Sequence, residues 1–232
     1  MFIKVKKIVE TYPNIPMKGV IHIGAHEAEE YEAYKEAGMD KQIWVEANPV
    51  LAEGITSRFS EDNNIRVFNE AIYDSENEME FKISNNGQSS SLLELGEHKR
   101  FFPTVHYIDK FKLVSKRFDT LISEENINVG DYNFLNVDIQ GADLNAIMSF
   151  NDHIRHMDFI YSEFNTVEVY EGCHLIGEMD EYLKSKGFTR TLTHEYQMDG
   201  ANESITPIGA GRIPGHWGDA LYVKTSRILE DG

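Results

Sequence analysis

The stretch Val20-Ile-His-Ile-Gly-Ala-His-Glu-Ala-Glu-Glu30 decides the fold. Its opening residues have the make-up of a strand buried on both faces, and Gly24 stands where such a strand turns toward a helix. Beyond the turn, Ala28, Tyr31, Tyr34 and Ala37 share one helix face, and Gly38 ends the run. Strand, glycine turn and helix together form the first half of a βαβ unit.

Working outward, the same alternation recurs. KQIWVEA reads as a strand, Pro49 to Phe59 as a helix and NIRVFNEAIY as a strand, which predicts a parallel sheet with right-handed crossovers. After Asn77 the rhythm breaks into a strand, a turn cluster NNGQSSS and an aromatic-rich excursion. Residues 77–117 therefore read as an elaboration inserted in a single domain spanning 1–232. Alternation resumes with YNFLNVDI, a short helix on Leu144, Ile147 and Met148, the strand MDFIYSEF and a helix from His174 to Lys186. Phe188 to Met198 and Trp217 to Lys224 follow as two strands with no helix between them, so they should pair antiparallel across a long loop. The predicted class is a doubly wound α/β sheet, mixed at its final strand.

Composition narrows the function. The 232 residues are 41% apolar, enough for a substantial core, and 22 basic against 39 acidic residues leave a formal charge of −17. Such a balance opposes counterion-release binding, so nucleic acid is not the expected partner. The single Cys173 excludes an internal disulfide, and the start MFIKVKKIVE lacks an unbroken apolar signal region, which gives an expectation of cytoplasmic location. No apolar run reaches the ~20 residues a spanning helix needs.

A dinucleotide-binding turn would need glycines at positions 26 and 29, where the chain has His26 and Glu29. Glu27, Glu29 and Glu30 are expected to crowd a helix N-terminus and repel a pyrophosphate. A nucleoside with a sulfonium and an amino group meets no such repulsion, which favours S-adenosylmethionine over NAD. The cofactor turn is then His22, Gly24, Ala25 and His26. Glu46, with Ala47 and Asn48 beside it in VEANP, ends the second strand where a carboxylate accepts from ribose hydroxyls. Glu70, Ala71 and Ile72 end the third strand, near an adenine. In FLNVDIQGAD, Asn136 and Asp138 alternate onto one face of a central strand, and Asp138 reaches the ligand edge; capping of the next helix is its competing role.

These segments, IGAHEAEE, VEANP, GQSSSLLE, NVDIQGAD and WGDALYV, resemble the FkbM family of methyltransferases from about Val20 to Lys224. The resemblance implies the class I methyltransferase fold, a seven-stranded sheet with an antiparallel last strand, and transfer of methyl from S-adenosylmethionine to a hydroxyl, frequently on a sugar or glycan. By position it implies Gly24, Ala25 and His26 as the cofactor turn, Glu46 at the ribose, Ala71 at adenine and Asp138 near the methionine end. The chain departs from the family at His22, where relatives are acidic, and at Ala28, where they carry a second glycine.

Methylation of an alcohol needs alignment and removal of a proton. The candidate bases are Asp138 and Glu163, with His216 and His106 secondary. Candidate acceptor contacts are Ser89, Ser90, His106, Gln140, Asn165 and Trp217. The segment HKRFFPTVHY suits either a sugar face or the interface of a homo-oligomer. Asp138, Glu163 and Asn165 form an oxygen set able to hold Mg²⁺, although coincidental acidity is the better account and no metal ligand is assigned. Two other functions stay open: a nicotinamide-dependent sugar dehydrogenase or epimerase, and a non-catalytic binding module on a methyltransferase fold.

Overall fold

The computed structural model describes residues 1–196, 205–207 and 217–230. In chain order its elements are α1 (Val5–Thr11), β1 (Gly19–Ile23), α2 (Tyr31–Glu36), β2 (Lys41–Val45), α3 (Pro49–Arg58), β3 (Ile65–Phe68), β4 (Glu78–Ser84), α4 (His98–Phe101) and β5 (Tyr107–Val114). There follow α5 (Phe118–Glu124), β6 (Phe134–Val137), α6 (Asp143–Met148), β7 (Phe159–Asn165), α7 (Ile176–Ser185), β8 (Phe188–Tyr196), β9 (Ile205–Pro207), β10 (Trp217–Lys224) and α8 (Thr225–Glu230).

The main sheet runs β3-β2-β1-β6-β7-β10-β8-β9. Its first five strands are parallel, and β10 is inserted antiparallel to both β7 and β8. With no helix joining β8 to β10, the chain returns along the sheet in the opposite direction, as the sequence predicts. The seven strands to β8 are the expected mixed sheet; three-residue β9 adds a short edge inside what reads from sequence as loop.

Strand β1 is buried along its whole length because its two faces serve two cores. Ile21 and Ile23 point with Leu135, Val137 and Ile160 toward α5, α6 and α7. Val20 points with Trp44, Phe134 and Tyr161 toward α1, α2 and α3. Burial on two faces explains why β1 and β6 read as nearly unbroken apolar runs.

Residues 78–114 carry a separate antiparallel pair, β4 with β5. It is laced by Lys110–Glu80 and Lys112–Glu78 ion pairs at 2.9 and 2.6 Å and by Phe81 packed on Phe111, and Phe81 and Leu92 join it to Ala71, just beyond the end of β3. The excursion thus sits over the ends of the parallel strands.

One local expectation is corrected. The helix α2 has only six residues, Tyr31 to Glu36, because His26 and Ala28 lie at φ 48° and 56° and hold residues 24–30 in a loop. Its first turn contains Glu32, not Glu27 or Glu29. Ala28 is fully buried in the left-handed region, which explains why a glycine suits that place.

Candidate active site

The turn after β1 is wedged between two neighbouring strands. Gly24 and Ala25 donate their backbone N–H groups to Val45 O at 2.9 and 3.1 Å, while Asp138 N donates to Ile23 O at 3.0 Å. Gly24 lies at φ +87°, and a Cβ there would stand 1.9 Å from the Asp138 carbonyl oxygen, so only glycine fits. His26 N donates to Glu46 Oε2 at 2.9 Å, Glu27 N to Glu29 Oε2 at 3.2 Å and Ala28 N to Ala25 O at 2.7 Å. Every backbone donor from 24 to 28 is therefore spent inside the protein.

Glu46 also accepts from Asn48 N at 2.8 Å. Burial pushes its carboxyl above the usual range, and the Asn48 and His26 donors oppose that rise. Asn48 caps α3 through Val50 N, with Pro49 in the first turn. Asn69 Nδ2 braces the strand end through the Glu46 and Ala47 carbonyls at 2.8 and 3.1 Å. Between this turn, Ala71, Ile72 and Ile139 lies a narrow slot of about 70 Å³, roofed by Phe81 and Leu92 of the excursion. Glu70 lies at its rim, with Oε1 held by Lys116 Nζ at 2.7 Å.

Gly24, His26, Asp138 and Gln140 also line a wider cavity of about 480 Å³. Gln140, at φ 56°, sends Nε2 to Asp138 Oδ1 at 2.8 Å and to Glu163 Oε2 at 3.0 Å, while Tyr170 OH donates to its Oε1 at 2.6 Å. Asp138 does not cap α6, whose N-cap is Ala142 with no side-chain cap; Asp143, the first residue of the helix, instead accepts from the preceding loop, from Ile139 N at 3.1 Å and Gly141 N at 2.9 Å. Burial, then the nearby Asp138 charge, pushes Asp143 up to about 7, and burial beside Asp138 and Asp143 pushes Glu163 well above its ordinary range. Asp219, accepting from Phe2 N at 2.7 Å, is likewise pushed by burial to about 7.

His22 is part of a buried polar knot at the cavity floor. Asn136 Nδ2 donates to Tyr34 OH at 2.7 Å and lies 3.2 Å from His22 Nε2, and burial lowers the His22 pKa. Asn136 Oδ1 has no hydrogen-bond partner. The cavity wall is aromatic: Phe102 packs edge-on to Trp217 at 5.3 Å, and His98 lies 5.4 Å from the Tyr170 ring.

The fold gathers most residues marked in the sequence. Gly24, His26, Glu46, Ala47, Asn48, Glu70, Ala71, Ile72 and Ser90 line the slot, and His22, Ala25, Ser89, Glu163 and Trp217 line the wider cavity. Gly24, His26, Asp138 and Gln140 line both. His106 is brought to neither: it is exposed just before β5, its ring bonded to Thr104 O at 3.0 Å. Asn165 is buried at the end of β7 and also lines neither. His216 lies outside the described residues. Among the described residues no three His, Cys, Asp or Glu side chains converge as a metal site, and the amide of Gln140 bridges Asp138 and Glu163, so the Mg²⁺ reading has no support. Sequence reasoning missed His98, Asn69, Tyr170 and the bridging role of Gln140: His98 opens the segment HKRFFPTVHY and Gln140 lies in NVDIQGAD, but nothing in either segment singles out these roles.

A family model described as the methyltransferase FkbM domain matches residues 22–190. Among curated proteins, none matches the chain. Solved structures resemble it in fold at low identity. The O-methyltransferase TomG from Streptomyces achromogenes, in complex with SAM, is 11% identical with a TM-score of 0.50, covering 95% of this chain and 78% of that one. Precorrin-6y C5,15-methyltransferase from Geobacter metallireducens is 11% identical with a TM-score of 0.44, covering 95% and 87%. The magnesium protoporphyrin IX methyltransferase of Synechocystis is 10% identical with a TM-score of 0.44, covering 95% and 77%. The sheet order and the antiparallel β10 are those of the class I methyltransferase fold. By the match over residues 22–190, the chain belongs to the FkbM methyltransferase family.

Proposed function

We propose that the protein is an S-adenosylmethionine-dependent O-methyltransferase acting on a hydroxyl of a sugar, glycan or related small molecule. The observation that carries the choice of cofactor is the spent turn: with the N–H groups of residues 24–28 all bonded internally, none is left there to cradle a pyrophosphate. This replaces the helix-terminus argument, because Glu27 and Glu29 lie in a loop. The acidity itself remains, since Glu29 and Glu30 line the wider cavity.

The lining of the slot, rather than its closed volume, suits a nucleoside. Glu46 offers acceptor oxygens to a ribose diol, Ala71, Ile72 and Ile139 offer apolar surface to a purine, and Asp138 stands where the slot opens into the wider cavity. When bound, S-adenosylmethionine would supply an electrophilic methyl on a sulfonium. The protein's own part is to hold the acceptor in line with that methyl, exclude water and receive a proton. Aromatic walls at Phe102 and Trp217, with Ser89 and Gln140 as polar contacts, suit a hydroxylated ring.

Calorimetry with S-adenosylhomocysteine and with NAD tests the cofactor; the expected result is binding of the first alone. Incubation with methyl-labelled S-adenosylmethionine and a panel of free sugars, glycans and nucleotide sugars tests the acceptor. Label recovered as a sugar methyl ether supports the reading, and label confined to protein or RNA overturns it.

A further inference from the structure

We infer that His98 is the group that takes the proton from the acceptor hydroxyl during methyl transfer, an inference that rests on the O-methyltransferase reading above. Its ring lines the wider cavity that Asp138, Gln140 and Glu163 also line. Although His98 is only 4% exposed, Nδ1 has no hydrogen-bond partner in the protein. A buried polar atom without a partner costs ~1 to 3 kcal/mol, and on a residue that lines a ligand cavity a ligand contact accounts for it.

The ring is held rigidly. His98 N donates to Val169 O at 3.0 Å, Glu97 N to Glu168 O at 2.9 Å and Phe102 N to His98 O at 2.8 Å, which ties the four-residue α4 to the segment after β7. Phe102 and Tyr170 clamp the imidazole with ring centres at 5.1 and 5.4 Å. Burial lowers its pKa, so the ring is neutral and able to accept a proton near neutral pH.

The carboxylates are worse placed. Gln140 Nε2 donates to both Asp138 and Glu163 and is itself held by Tyr170, so these carboxylates already serve as acceptors within the protein. Burial keeps Glu163 protonated far above the usual range. Around His98 the titratable groups are Tyr170 against its ring and, across the cavity, Asp138, Glu163, Asp219, Glu29, Glu30, His22, His26 and the Met1 ammonium.

The step balances without another reactant. The acceptor oxygen forms a bond to the methyl carbon as the carbon–sulfur bond breaks, with its electron pair going to sulfur. The hydroxyl proton passes to His98, which releases it to solvent after the methyl ether leaves.

The test combines a binding, a kinetic and a spectroscopic readout. In His98→Gln, S-adenosylhomocysteine affinity should stay within about twofold while transfer to the panel hydroxyl falls by ~10²- to 10⁴-fold. In His98→Ala, added imidazole should restore rate in proportion to its free base, which a structural role would not produce. The ¹⁵N titration of the His98 ring in the cofactor-free protein should give a pKa below 6.5. A His98→Gln protein that binds S-adenosylhomocysteine and keeps more than about a tenth of the rate overturns the inference, as does a ring that titrates above 6.5. Should His98→Gln fail to fold, the imidazole response of His98→Ala decides, and no rescue counts against the role. Wild-type protein that methylates no hydroxyl defeats the O-methyltransferase reading itself, an outcome separate from an active His98 variant.

Discussion

Glu46 shows how one side chain can be structural and ligand-facing at once. Its two oxygens accept from His26 N and Asn48 N, which ties the turn after β1 to the end of β2, and it lines the slot. Each oxygen keeps further acceptor capacity for a ribose hydroxyl. In Glu46→Gln one oxygen becomes an NH₂ that must face a backbone donor. The expected loss is ~1 to 3 kcal/mol of binding, about tenfold or more in the S-adenosylhomocysteine dissociation constant. Calorimetry checks it, and unchanged affinity would take the carboxylate off the ligand. At the same scale, Asp138 is legible from strand alternation, whereas the taking of the loop donors Ile139 N and Gly141 N by Asp143 is not.

At the scale of elements, α2 and β6 are joined by a polar contact in an otherwise apolar layer. Tyr34, fully buried beside Trp44 and Phe134, accepts from Asn136 Nδ2 at 2.7 Å. Tyr34→Phe keeps the packing but leaves that amide with only His22, so unfolding in urea should show a loss of ~1 to 3 kcal/mol. A loss near zero would mean that His22 satisfies Asn136 alone. The shortness of α2 belongs here too. Its apolar spacing predicts a longer helix, but the first residues are drawn into the turn by bonds to Val45 and Glu46, and that competition crosses between strands.

Across the whole molecule, buried carboxyls set the response to pH. Asp143 and Asp219 are each pushed up to about 7 by burial, and Glu163 is raised well above its usual value. Their folded-state pKa values exceed the unfolded ones, so the fold binds more protons than the unfolded chain. For Asp143 and Asp219 the resulting stability is complete below about pH 4 and is lost as pH rises through about 7, by at most ~1.4 kcal/mol per unit for each, and Glu163 acts in the same direction.

The alternation of parallel strands with helices, the antiparallel return of β10 and the placing of Gly24, Glu46 and Asp138 at strand ends were determined by the sequence alone, whereas the order of the strands was not. Apolar period, turn residues and connection length are local quantities, and a doubly wound sheet carries its strand ends to one edge. Only the tertiary structure decided that His98 turns into the cavity, that Gln140 bridges two carboxylates, and that His106 and Asn165 stay outside it. His98 is positioned by its own hydrogen bond to Val169 and by that of Glu97 to Glu168, some seventy residues away in the chain, and Gln140 by Tyr170, 30 residues away. Contacts between such distant segments arise from packing, which leaves no periodic mark on either segment.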